Sequence, residues 1–169
     1  MKSRPVHAPS ARESSSGSPA EPRRILAVDY GTKRIGLAIS DDLLSTARPL
    51  QVVPRTNRRD LFKSLRKICS EHAVARILVG HPLHLSGDAS PMAEEAARFA
   101  ARLEKELNIP VELCDERLTS WEAGQIAREA KLSSRRKSAH LDDVAAALLL
   151  REYLDRKRGS LAASTPGEA

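Results

Sequence analysis

The sequence predicts an α/β fold built on a five-stranded mixed sheet flanked by helices, and three observations carry that reading. Five short apolar runs, 24–29, 35–40, 49–53, 76–80 and 111–115, have the length and β-branched content of buried strands. The first three follow one another with only turns between them, whereas the last two alternate with stretches of helical periodicity. Strands joined by turns pair antiparallel and strands separated by helices pair in parallel, so three antiparallel strands should lead into a parallel half.

Arg24-Ile25-Leu26-Ala27-Val28-Asp29 is the first strand, and it breaks at Tyr30-Gly31-Thr32-Lys33. Gly31 is expected to supply positive φ there, so that Ile35 to Ser40 returns as the second arm of a hairpin. Pro49 should open the third strand, where a missing N–H is tolerated. Asn57 reads as the N-cap of a helix complemented by Asp60, with Leu61, Leu65 and Ile68 as its apolar stripe. The strand at 76–80 leads into a loop, His81 to Ser90, that contains Pro82 and Gly87. From Pro91 the residues Met92, Ala96, Phe99, Leu103 and Leu107 recur at spacings of three and four, an amphipathic helix with proline in its first turn. Thr119 with Glu122 forms a capping box for the next helix. A final helix, about Ala139 to Arg156, is apolar nearly all round and should be largely buried.

The chain of 169 residues suits one domain. Residues 1–22 and 159–169, dominated by small, polar and charged residues without periodicity, read as disordered tails around a folded domain at 23–158. Aromatics make up only 3%, so the core must rest on aliphatic side chains. No apolar run approaches the ~18 residues of a membrane span, and the N-terminal segment lacks the apolar stretch of a secretory signal. Cys69 and Cys114 have no CxxC spacing and read as buried free thiols, which fits a reducing cytoplasm. A net charge of +6 favours a polyanionic partner. The cations cluster: Arg55, Arg58, Arg59, Lys63, Arg66 and Lys67 in one group, Lys131, Arg135, Arg136 and Lys137 in another. Each group suits nucleic acid, and each suits equally a solvated helix face or loop.

Several acids stand where a carboxylate needs a reason. Asp29 ends a buried strand before a glycine turn, Asp115 and Glu116 end the fifth strand, and Asp142 and Asp143 open the most apolar helix. Ligands of α/β sheets gather beyond the carboxyl ends of the parallel strands, so Asp29 and one acid of the 115–116 pair can share an edge. Only one of that pair can point into the site, because side chains alternate along a strand. Magnesium takes hard oxygen ligands from a few carboxylates, and a pair of such ions can clamp both oxygens of a phosphodiester displacement. The sequence has no histidine–cysteine cluster of zinc spacing, which leaves magnesium or manganese. Each acid also has a plainer use: Asp29 in accepting turn N–H groups, Glu116 in pairing with Arg117, Asp142 and Asp143 in complementing a helix start.

The run Val28-Asp29-Tyr30-Gly31-Thr32-Lys33-Arg34-Ile35-Gly36-Leu37-Ala38-Ile39-Ser40-Asp41 resembles the opening motif of the YqgF family. These are bacterial RNase H-like proteins described as Holliday junction resolvases and as pre-16S rRNA nucleases. Val79-Gly80-His81-Pro82-Leu83 with Gly87, then Asp115-Glu116-Arg117-Leu118-Thr119-Ser120, resemble the second and third motifs. Asp142-Asp143-Val144-Ala145-Ala146 followed by Tyr153-Leu154 resembles the fourth. The resemblance covers about residues 24–156 and implies an RNase H-like fold whose metal-binding and catalytic acids are Asp29, Glu116 and Asp142, with Asp143 as helix-start charge. It further implies that Gly31, Thr32, Lys33, Arg34, Arg117 and Thr119 lie on the substrate side. His84 stands where the family commonly has asparagine; it can donate to phosphate, with a charge that depends on pH.

The resemblance implies a magnesium-dependent endonuclease (manganese being the other candidate ion) that matures the 5′ end of pre-16S rRNA, leaving a 3′-hydroxyl and a 5′-phosphate. The partners it implies are structured RNA and ribosomal precursor particles, with the chain a monomer or homodimer and no membrane involved. The alternative keeps the chemistry and makes the substrate a four-way DNA junction. A non-catalytic RNA- or ribosome-binding protein ranks below both. The Asp-x-Gly-Thr pattern also resembles the phosphate loop of actin-like and sugar-kinase ATPases, but those close two such domains around ATP.

Overall fold

The computed structural model describes residues 23–81, 91–115 and 139–163. In chain order these form β1 (Arg24–Tyr30), β2 (Arg34–Ser40), β3 (Ala47–Pro54), α1 (Arg58–Glu71), β4 (Val74–His81), α2 (Pro91–Leu107), β5 (Val111–Asp115) and α3 (Ala139–Ala163). The strands lie in the order β3-β2-β1-β4-β5. The pairs β1–β2 and β2–β3 are antiparallel and the pairs β1–β4 and β4–β5 parallel, the expected mixed sheet. The tail at 1–22, the loop following His81, and the helix expected from Thr119 lie outside the described residues.

Strand alternation sorts the core into two layers. Leu26, Val28 and Tyr30 of β1 face α1 and α2 with Ile35, Leu37, Ile77 and Val79, closing one apolar cluster over Leu65, Phe99 and Leu103. Ile25 and Ala27 face the other way with Ala38, Leu78 and Cys114, and there they meet Ala146, Leu149, Leu150, Tyr153 and Leu154 of α3. Both cysteines are buried free thiols, as the sequence suggested. Burial pushes Cys69 up to about 11.

Local signals set the element ends. Asn57 caps α1, its side-chain oxygen accepting the Asp60 N–H at 3.0 Å, and Leu61, Leu65 and Ile68 are buried below. Pro49 does not open β3, however: the strand begins at Ala47. The register shifts between Leu37, opposite Gln51, and Ala38, opposite Pro49, so Leu50 is the extra residue of a bulge. Proline is tolerated beside that bulge on an edge strand, where a missing N–H breaks no ladder.

The last helix also differs from expectation. It runs to Ala163, seven residues beyond Arg156. Only one side of it is buried; Val144, Ala145 and Leu148 are half-buried. At the sheet's far edge its Tyr153 hydroxyl donates to Glu112 at 2.7 Å, and Glu112 in turn pairs with Arg76 at 3.1 Å. Burial, followed by that hydrogen bond, pushes the Tyr153 phenol up to about 12. No helix among the described residues is long and apolar enough to cross a membrane.

Candidate active site

Asp29 is the penultimate residue of β1, at the edge where β1, β3, β4 and β5 end and α1, α2 and α3 begin. Its neighbours Val28 and Tyr30 point into the α1/α2 cluster, so alternation turns Asp29 to the α3 face, following Ile25 and Ala27. There it is half-buried. Its partner across the antiparallel ladder is Gly36. Directly opposed residues share a face, so whatever sits on Gly36 sits beside the Asp29 carboxylate.

What sits on Gly36 is the start of α3. A Cβ built at Gly36 would overlap the carbonyl of Asp142 and crowd the Asp143 N–H. Glycine is therefore required by a close backbone approach, which a glycine inside a strand often marks. The glycine seats the first turn of α3 on β2 and so brings Asp142, from the far part of the chain, next to Asp29. Asp142 is 24% exposed, and its Oδ2 pairs with the Arg34 Nε at 3.1 Å. Asp143 accepts the Val144 N–H at 2.9 Å, and the acid in the first turn of α3 is Asp142, not Asp143.

The turn that follows Asp29 is held from below. Gly31 N–H donates to the Arg34 carbonyl at 3.1 Å. Gly31 is not at positive φ, contrary to expectation; it is glycine because a Cβ would stand 2.5 Å from that carbonyl oxygen. Thr32 and Lys33 are exposed, Gly31 and Arg34 half-buried. Beneath them lies Arg55, just past the end of β3. Its backbone N–H donates to the Lys33 carbonyl at 2.9 Å, and its Nη1 to the carbonyls of Gly31 and Thr32, each at 3.3 Å. Its Nη2 pairs with Glu95 of α2. The guanidinium also lies over the Tyr30 ring, 4.5 Å from its centroid, and Tyr30 stacks on Phe99 at 4.4 Å. Burial raises the Tyr30 phenol, so the ring stays neutral.

Of the expected acids the structure thus gathers Asp29 and Asp142, while Glu116 lies outside the described residues, as do His84, Arg117 and Thr119. No group of three histidine, cysteine or acidic side chains that could hold a metal ion stands together among the described residues. The donor set itself suits a hard divalent cation: two half-buried acids, one opposite Gly36 on the sheet and the other with its backbone seated on that glycine. Two residues of the site escaped the sequence reading. Gly36 carried a signal in being a glycine within a strand. Arg55 carried none, since the hydrogen-bond partners of its side chain are 23 to 40 residues away in sequence.

A family model described as RuvX, Holliday junction resolvase, matches residues 23–156, from the start of β1 into α3. The chain belongs to the RuvX family, also called YqgF. RuvX-family relatives are close in sequence. A protein of Koribacter versatilis, provisionally named a pre-16S rRNA nuclease, is 45% identical over 134 residues, covering 79% of this chain and 88% of its own. A Geobacillus kaustophilus protein with the same name is 42% identical over 137 residues, covering 80% of this chain and 99% of its own. Among solved structures, Thermus thermophilus RuvC in complex with a Holliday junction substrate superposes with a TM-score of 0.51 at 17% identity, covering 79% of this chain and 95% of that one. At that identity the likeness is one of fold, and it places the RuvX domain among RNase H-like sheets.

Proposed function

We propose that this chain is an endonuclease, dependent on magnesium or manganese, that processes the 5′ end of pre-16S rRNA in the cytoplasm. The observation that carries the reading is the seating of Asp142 on Gly36 opposite Asp29. A helix whose sole task was to cover the sheet would have no need to bring an acid into backbone contact with the strand beside another acid. Glu116 follows β5 directly in the sequence and belongs to the third motif of the family resemblance. Asp29, Glu116 and Asp142 are the residues that would hold the ions. Bound there, magnesium would supply charge stabilisation for the phosphodiester and lower the pKa of water.

The remaining work falls to the chain's own groups. Lys33, exposed on the turn next to Asp29, offers an ammonium to a substrate phosphate. Arg34 offsets the charge of Asp142 across their 3.1 Å pair and keeps a partly exposed guanidinium at the rim. Gly31, Thr32, His84, Arg117 and Thr119 complete the proposed substrate side. The names of the RuvX-family relatives support pre-16S rRNA as the substrate. The family's own description favours a second reading, resolution of four-way DNA junctions. Paired incision of a junction would take two chains, since one chain carries one set of these acids.

The deciding experiment is cleavage of a pre-16S 5′-leader RNA and of a synthetic DNA four-way junction, by wild type and Asp29→Asn, with magnesium, manganese or chelator. Metal-dependent RNA cleavage that Asp29→Asn abolishes is expected. Selective cutting of the junction would transfer the assignment to the second reading. RNA binding without any cutting would indicate a non-catalytic protein, and full cleavage by Asp29→Asn would remove Asp29 from the site.

A further inference from the structure

We infer that Arg55 is a positioning residue of the nuclease site, holding the turn after Asp29 from inside the protein instead of contacting the substrate. The inference rests on the reading of Asp29 as an active-site acid. In sequence Arg55 is one of six cations between positions 55 and 67, a group that invites a reading as phosphate contacts. The structure divides the group. Arg58, Arg59 and Lys63 are exposed, whereas the Arg55 side chain is only 22% exposed, with both terminal nitrogens bonded and its face on a ring.

Three successive carbonyls, of Gly31, Thr32 and Lys33, accept hydrogen bonds from this one residue. The guanidinium face covers Tyr30, the residue between Asp29 and Gly31. Its far edge pairs with Glu95, in the second turn of α2. Backbone on the carboxyl side of Asp29 is thereby tied to β3 and α2 together. With its carbonyls drawn inward, the turn leaves the Thr32 and Lys33 side chains on the exposed side. Only a planar fork can reach two carbonyls and a carboxylate while lying flat on a ring, so lysine cannot replace arginine here.

A phosphate contact and a positioning residue give different signatures. Each lost phosphate contact lowers the slope of log K against log salt by about 0.7 to 0.9. A residue that positions others leaves that slope alone and lowers the rate of the chemical step, since a displacement of about 1 Å can cost on the order of a hundredfold. The test uses the full chain with Arg55→Ala, Arg55→Lys and Glu95→Gln. Single-turnover cleavage of the 5′-leader RNA is measured alongside binding of the same RNA in chelator over a range of salt. Amide exchange at Gly31 is compared with that of Val28 and Leu37.

In Arg55→Ala we expect a rate roughly tenfold to a hundredfold lower, with affinity and salt slope at wild-type values. Exchange at Gly31 should quicken while Val28 and Leu37 keep their protection. Arg55→Lys should recover only part of the rate, and Glu95→Gln should show a smaller loss of the same kind. A reduced salt slope with weaker binding would overturn the inference in favour of a phosphate contact. An unchanged rate would overturn it outright, as would protection lost evenly across the sheet. Should Arg55→Ala fail to fold, Arg55→Lys and Glu95→Gln carry the same readouts. If wild type cuts no RNA, the proposed function fails by itself, and the salt slope and Gly31 exchange still judge the placement of Arg55.

Discussion

Under α1 and α2 the sheet presents Leu26, Val28, Ile35, Leu37, Ile77 and Val79, each fully buried. Under α3 those strands turn their other side and present Ile25, Ala27, Ala38 and Leu78, with Gly36 at the end nearest Asp29. The first face is filled with branched side chains and completed by the Tyr30–Phe99 and Phe62–Phe99 ring contacts. It holds most of the buried apolar volume and none of the candidate acids. The second face sets Ile25 and Leu78 among the small residues Ala27, Ala38 and Gly36, and at Gly36 backbone touches backbone. This glycine carries the Asp142 backbone and pairs with Asp29 across the ladder. The candidate acids and the larger apolar cluster thus lie on opposite sides of one sheet.

The largest break in this contrast should come from Gly36→Ala. The added methyl meets a backbone carbonyl, which no rotamer change can move aside. The start of α3 has to lift, at a cost of about 1–3 kcal/mol in stability, and cleavage should fall roughly a hundredfold with the displacement of Asp142. Urea unfolding and single-turnover cleavage check the two halves; wild-type rates in this variant would show that the seat on β2 does not position the acid. Leu65→Ala is the converse. Leu65, on the inner side of α1, is fully buried on the opposite face of the sheet from Asp29, and its truncation should remove about 2–5 kcal/mol. The folded fraction should nevertheless cut at the wild-type rate. A loss of rate beyond the loss of folded protein would mean that the two faces are coupled.

Most of the first face was legible in sequence, because its signals are local. The short apolar run at 24–29 and the Asn57 cap with its Leu61–Leu65–Ile68 stripe need only a few neighbouring residues. Asp29 was legible for the same reason, as an acid ending an apolar strand. The second face was not. An apolar pattern nearly all round α3 suggested a largely buried helix, but it meets the sheet along one side. The bulge at Leu50 is set by what β2 does opposite, so Pro49 could not be placed from its own neighbourhood. Arg55 among six cations looks like its neighbours; only the folded chain shows which one turns inward.

A smaller effect should separate the faces by pH. In the turn between β2 and β3, Asp41 accepts the Ser45 hydroxyl at 2.5 Å and the Thr46 N–H at 3.0 Å. These bonds, the Ser45 hydroxyl first, hold its carboxyl below the usual range. A depressed carboxyl contributes stability above its unfolded value, near about 3.9, and that contribution disappears as pH falls through the folded value. The Ser45 carbonyl in that turn accepts from Arg158 of α3 at 2.9 Å. Acidification below about pH 4 should therefore loosen α3 before α1 or α2, as read by amide exchange. Asp41→Asn should remove this acid-sensitive step, and simultaneous loosening of all three helices in the wild type would show that the turn does not anchor α3.

The seat on Gly36 has a consequence for the order of events during synthesis. Asp29 lies in the first strand and Asp142 in the helix that begins at Ala139. Chains emerge from the ribosome amino end first, at about 5–20 residues per second. The hairpin of β1 and β2 can therefore form well before residue 142 exists, and throughout that interval its carboxylate has no companion from α3. The two acids come together only after translation has passed the helix, so a nascent or truncated chain that stops short of it cannot assemble this pair.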